Sequence, residues 1–148
     1  MQLVAYHEAN PQAIQNMEAE ARRKVHGVFT CDIFQPGVIP RMSSAEKFTY
    51  VTSFFTLEYA CQDSDEYTKC VQNIGELVAA GGYLVMGGVQ EETWCAFGGK
   101  KFRCLYLTEK VMLESLEKAG FITDEDSINY YNCEGIFLIA VRKRSNSD

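Results

Sequence analysis

FTYVTSFFTLEYAC, Phe48 to Cys61, decides the reading of this chain. Tyr50, Val51, Thr52, Phe54 and Phe55 are β-branched or aromatic, the residues that fit a pleated surface, so the run is predicted to be a strand. It stops at a single carboxylate, Glu58. A fresh helix is predicted to begin near Asp63, with Glu66 three residues on as its capping-box partner. In open α/β sheets ligands bind beyond the carboxyl ends of the strands. The strand end at Glu58 is therefore the first candidate for a site.

Working downstream, Tyr67, Cys70, Val71, Ile74, Leu77 and Val78 recur at helical spacing, and Gly81-Gly82 is predicted to stop that helix. Tyr83 to Met86 is a continuous apolar run, expected of a strand buried in a parallel sheet. Thr93–Phe97 and Phe102–Leu107, joined by Gly98-Gly99, read as a hairpin. Thr108 caps a further helix with Val111, Met112, Leu116 and Ala119 inside and Gly120 at its end. Beyond the acidic turn Asp124-Glu125-Asp126, Ser127–Tyr131 and Gly135–Arg142 form an antiparallel pair. Arg142, Lys143 and Arg144 read as a solvated strand end.

Upstream, Asn10-Pro11 is a helix start. Ile14, Met17, Ala21 and Val25 then mark an amphipathic helix predicted to end at Gly27. VFTCDI, Val28 to Ile33, repeats the organising pattern in miniature, an apolar strand ending at Asp32. Alternating helices and buried strands predict an α/β sheet within one domain, residues 1–148.

The bulk composition narrows the function classes. A net charge of −6 argues against nucleic acid or an anionic membrane as partner. The longest apolar run, Ile136–Val141, is far too short to span a bilayer. Six cysteines without a CxxC pair, and an amino terminus without a long apolar stretch, predict free thiols and a cytoplasmic location. Two histidines far apart, with no Walker loop, GxSxG or HExxH, argue against a metal site or a histidine-based triad. Acids at strand ends remain: Asp32, Glu58 and Glu91-Glu92. Parallel strands bring their carboxyl ends to one rim, where such groups can converge.

CDI at 31–33, SFFTLEYAC at 53–61, LVAAGGYLV at 77–85, EETWCAFGGKKF at 91–102, AGF at 119–121 and EGIFLIAVRK at 134–143 carry a resemblance. In order and spacing they resemble the small-molecule N-methyltransferases that act on nicotinamide, phenylethanolamine and indolethylamine. The resemblance covers essentially the whole chain. It implies a partial Rossmann-like sheet of an S-adenosylmethionine-dependent methyltransferase, with strands 3, 4, 5, 6 and 7, an antiparallel terminal pair and an inserted hairpin. It also implies S-adenosyl-L-methionine as cofactor and a small amine as substrate. Asp32 and Ile33 would be adenine-side contacts, Phe54 would line the cofactor, and Glu58 and Glu92 would lie near the acceptor amine. The nicotinamide branch has an aspartate where this chain has Gly88, which speaks against nicotinamide.

In that family the glycine-rich cofactor loop and an acid ending the second strand precede the matching region, and this chain begins after them. The family's sheet order, 3-2-1-4-5-7-6, then leaves the strand at Val28 separated from the strand at Tyr50, in an N-terminally incomplete domain. A truncated enzyme is one expectation. The alternative is a non-catalytic remnant that serves as a binding or regulatory module, pairing with an intact relative.

Overall fold

The computed structural model describes residues 13–40, 42–43 and 46–145. The chain divides between Thr30 and Cys31 into two compact units. In the first, helix α1 spans Ala13–Lys24 and gathers Arg22, Arg23 and Lys24 in its last turn, where they complement the helix dipole. Its predicted cap, Asn10-Pro11, lies outside the described residues.

In the second unit, β1 (Phe48–Phe54) is followed by the short helix α2 (Leu57–Ala60) and by α3 (Ser64–Gly75). Next come β2 (Val78–Val89), the hairpin β3 (Trp94–Phe97) and β4 (Lys100–Arg103), and α4 (Glu109–Lys118). β5 (Asn129–Cys133) and β6 (Ile136–Arg142) close the chain. The four-stranded sheet runs β1-β2-β6-β5, with β1 parallel to β2 and the other neighbours antiparallel. That is the 4-5-7-6 half of the expected order. The hairpin forms a separate two-stranded sheet.

The helices begin where their caps dictate. Asp63 accepts the Asp65 and Glu66 N–H groups at the start of α3, and the Glu66 carboxylate takes the Gln62 N–H. Thr108 accepts the Val111 N–H at the start of α4. Tyr67, Cys70, Val71 and Ile74 of α3 and Met112 and Leu116 of α4 are buried against Leu84, Met86, Ile139 and Val141 of the sheet. Each such side chain contributes on the order of 1.5–3 kcal/mol on burial.

Three expectations are corrected. Val28 to Ile33 is not a strand: the backbone there is irregular and Val28 is 92% exposed. A strand needs a neighbour for its N–H and C=O groups, and among the described residues nothing pairs with this run. Instead Asp32 closes a local turn, accepting the Phe34 N–H at 3.0 Å.

The helix from Asp63 ends at Gly75, six residues early, because Val78–Gly82 is recruited as the start of β2. The register steps from Phe48↔Val78 to Tyr50↔Tyr83, a bulge that absorbs the extra residues. Gly82 is required there, since a Cβ would lie 2.7 Å from the Thr49 carbonyl.

Lys143 is not simply solvated. Its ammonium donates to the Ala119 carbonyl at the end of α4 and sits 4.8 Å over the Phe121 ring, and burial lowers its pKa. It caps a helix.

One face of the sheet carries α3 and α4. On the other, Tyr50, Phe54, Tyr83, Ile136 and Leu138 are exposed, with Tyr50 and Tyr83 stacked at 5.8 Å. Among the described residues no helix is long and apolar enough to cross a membrane.

Candidate active site

The sheet edge where β1 and β2 end is built by two backbone kinks. Phe55 follows β1 at φ +49°, its N–H donating to Gly87 O at 2.7 Å. Glu91 follows the end of β2 at φ +57°, its N–H donating to Leu107 O at 2.9 Å. Left-handed backbone costs a non-glycine residue on the order of 1–2 kcal/mol. Strain of this kind gathers where a chain must present side chains rather than pack them.

The kink at Phe55 turns the chain into α2 and drives Glu58 inward. Its side chain is 2% exposed and accepts the Val89 N–H at 3.1 Å. The carboxylate lies directly over Gly88, where a Cβ would fall 2.5 Å from Oε1. Glycine at 88 is thus the space that lets a glutamate occupy 58. Burial raises the Glu58 pKa, against the pull of backbone N–H donors that favour the charged form. A small pocket of about 10 Å³, bordered by Ser53, Thr56, Glu58 and Tyr67, adjoins it. That is room for about one water.

Glu92 is exposed, and its carbonyl accepts the Cys104 thiol at 3.3 Å. Burial first, then Cys95, Glu58 and Glu92, push the Cys104 thiol up. The Leu105 N–H donates to Glu58 O at 2.7 Å, and the Cys104 N–H to Thr93 O at 3.0 Å. The limb leaving the hairpin therefore stitches the Glu58 segment to the Glu92 segment.

In front of this limb opens a groove of about 710 Å³, walled by Phe55, Tyr59, Cys95, Phe102, Arg103 and Ile136. The Tyr59 phenol is pushed up, by burial first and then by the Cys95 thiol. Cys95 and Cys104 are both free. Among the described residues no group of three or more His, Cys, Asp or Glu side chains is gathered as a metal would need.

Phe54 stands at the end of β1 opposite Gly87, whose Cβ, if present, would be 2.8 Å from the Phe54 ring; the ring itself is 48% exposed. Asp32 and Ile33 are not brought to it. The Ile33 carbonyl accepts the Asn73 amide at 2.7 Å, near the last turn of α3 and so toward the opposite, amino-terminal end of β1. Tested against the cofactor that the resemblance implies, the described residues offer one exposed aromatic wall and no enclosing set.

Sequence reasoning missed Gln90, a buried amide whose Oε1 accepts both the Tyr130 hydroxyl (2.7 Å) and the Asn132 amide (2.8 Å). It ties the β5–β6 pair to the segment carrying Glu91-Glu92. A polar residue directly after an apolar strand was the signal that could have found it. The aromatic groove walls Phe55, Tyr59 and Phe102 were legible only as members of strand-like runs.

The model of the NNMT/PNMT/TEMT family matches residues 1–144. Nicotinamide N-methyltransferase of Caenorhabditis elegans is 29% identical over 149 residues, covering 95% of this chain and 55% of that protein. The human protein of the same name is 29% identical over 138 residues, covering 86% and 51%. Phenylethanolamine N-methyltransferase of Sus scrofa is 26% identical over 115 residues, covering 77% and 41%. The chain thus spans about half the length of the curated relatives it matches.

Among solved structures, N-methyltransferase NodS from Bradyrhizobium japonicum, in complex with S-adenosyl-L-homocysteine, superposes with TM-score 0.54 at 22% identity. It covers 90% of this chain and 62% of NodS. A SAM-dependent methyltransferase from Methanosarcina mazei gives 0.53 at 15%, covering 93% and 80%. At those identities the likeness speaks for the fold.

Proposed function

We propose, from the premise that the chain belongs to the NNMT/PNMT/TEMT family, that it supplies the acceptor side of an S-adenosylmethionine-dependent N-methyltransferase acting on a small amine. The observation that carries the reading is the Cys104–Leu105 junction, which hydrogen-bonds to the Glu92 and Glu58 backbones next to Arg103 and Tyr59 of an aromatic groove. S-adenosylmethionine would supply the methyl group.

The chain's own residues have three tasks. The aromatic walls exclude water and orient the acceptor, and correct placement of reacting groups is worth several kcal/mol. Glu92, the exposed member of the pair, holds the acceptor's ammonium and takes its proton, because only a neutral amine has the lone pair that attacks a methyl group. Glu58 stays fixed on the Val89 N–H and sets the local field from behind. It is buried and its pKa raised by that burial, whereas Glu92 is exposed, and such a difference of environment is what a division of labour between two carboxyls requires.

The second reading, a binding or regulatory module without turnover, draws on the placement of Asp32 and Ile33 away from Phe54. A saturating-ligand melt separates the two. An enzyme that binds S-adenosylmethionine gains about 2.7 kcal/mol at a hundredfold over Kd, whereas a module without the site gains nothing.

A further inference from the structure

We infer that the groove selects an aromatic amine that also carries a carboxylate, with Arg103 as the residue that reads it. The inference rests on the acceptor reading of this groove and names the class of acceptor.

Of the residues that wall the groove, Arg103 is the one with a formal charge. Its guanidinium donates to the Gln62 carbonyl at 3.3 Å. The ion pairs among the described residues, Arg23–Glu20 and Lys110–Glu114, do not include it. Of the two other long cations of this strand, Lys100 and Lys101, the second is engaged differently: the Lys101 ammonium lies 4.3 Å over the Trp94 ring. What sets Arg103 apart is its place, a guanidinium without a carboxylate partner on an otherwise uncharged, largely aromatic groove.

Guanidinium presents five N–H donors in a planar fork that matches a carboxylate two bonds at a time. It repels a bare monocation at the same place. Phe55, Tyr59 and Phe102 provide flat faces for a ring, and the segments that carry Glu58 and Glu92 are hydrogen-bonded to Leu105 and Cys104, next in the chain to Arg103, so the acceptor reading sets acidic and basic receptors beside one aromatic slot. An amine with no acid group would satisfy one receptor and oppose the other. An aromatic amino-carboxylate satisfies both.

The test needs no methyl donor. Titrate the full chain, followed by NMR or calorimetry, with tyramine, tyrosine and 3-(4-hydroxyphenyl)propionate, which share one ring and differ in their charged groups. Tyrosine is expected to bind at least tenfold more tightly than tyramine, with an advantage that shrinks as salt is added. Arg103→Gln should bring the ratio to about one and Arg103→Lys should restore part of it, with melting curves establishing that both variants remain folded.

Tyramine binding as tightly as tyrosine overturns the inference, as does an unchanged ratio in Arg103→Gln or binding of none of the three probes. If the propionate binds as tightly as tyrosine and loses its affinity in Arg103→Gln, the carboxylate reading stands while the amine-acceptor reading fails. The two failures are therefore distinguishable.

Discussion

Two stretches of this chain are written alike and fold differently. VFTCDI ends in Asp32, and FTYVTSFFTLE ends in Glu58; each is a β-prone run halted by one acid. In the second, Phe48–Phe54 forms strand β1, the chain kinks at Phe55, and the acid is carried on α2 and buried on the Val89 N–H. The first is irregular, and its acid is exposed, closing its own turn with Phe34. The difference is not local. β1 lies in parallel register with β2, whereas the first run has no strand beside it among the described residues. A strand's neighbour, more than its own composition, decides whether it forms. It also decides whether the acid that follows is buried, as Glu58 is, or closes a turn, as Asp32 does.

The sharpest way to break the contrast is at Gly88. Adding a Cβ places it 2.5 Å from Glu58 Oε1. Gly88→Ala should therefore cost roughly 1–3 kcal/mol, read from the urea midpoint at constant m-value. Glu58→Ala in the same chain should recover a good part of that loss. Additive costs in the double mutant would mean the two residues do not share the space.

A smaller, pH-dependent effect is expected from Glu58 itself. Its pKa is raised in the folded state, so its contribution favours folding fully below the unfolded carboxylate value and is lost as pH rises through the folded one. Stability should decline across that window with a slope of at most about 1.4 kcal/mol per pH unit from this group. Glu58→Gln should flatten the decline. An identical pH profile in the variant would show that the carboxylate is not buried as described.

The smallest effect belongs to the other stretch. Asp32→Ala removes one exposed turn bond, and its cost should stay within about 0.5 kcal/mol by chemical denaturation. A loss comparable to that of Gly88→Ala would mean that Asp32 is held by more than its own turn.

How much was legible follows from the same comparison. The caps at Asp63 and Thr108, the glycine-turned hairpin and the β5–β6 pair were readable because each is written within a few neighbouring residues. The missing strand at Val28 and the early end of α3 were not, because both depend on partners far along the chain: β2 claims Val78–Gly82 away from the helix by pairing with β1. Glu58 could be singled out from its position between Leu57 and Tyr59. Its burial could not, since that depends on Gly88, thirty residues away. Arg103 and Gln90 carried no local signal beyond their charge or polarity, and the groove and the network that give them meaning exist only once the hairpin and β5 are placed.

The central claim is that this chain holds an amine for methylation with Glu92 as its proton acceptor. The most direct measurement is transfer of labelled methyl from S-adenosylmethionine to a panel of aromatic amines by the full chain and by Glu92→Gln. The account predicts label on the amine nitrogen and a loss of about 10²-fold or more in the variant, the usual contribution of a positioned acid–base group. Unlabelled amine from the wild-type chain, or a variant that turns over as fast as the parent, would contradict it.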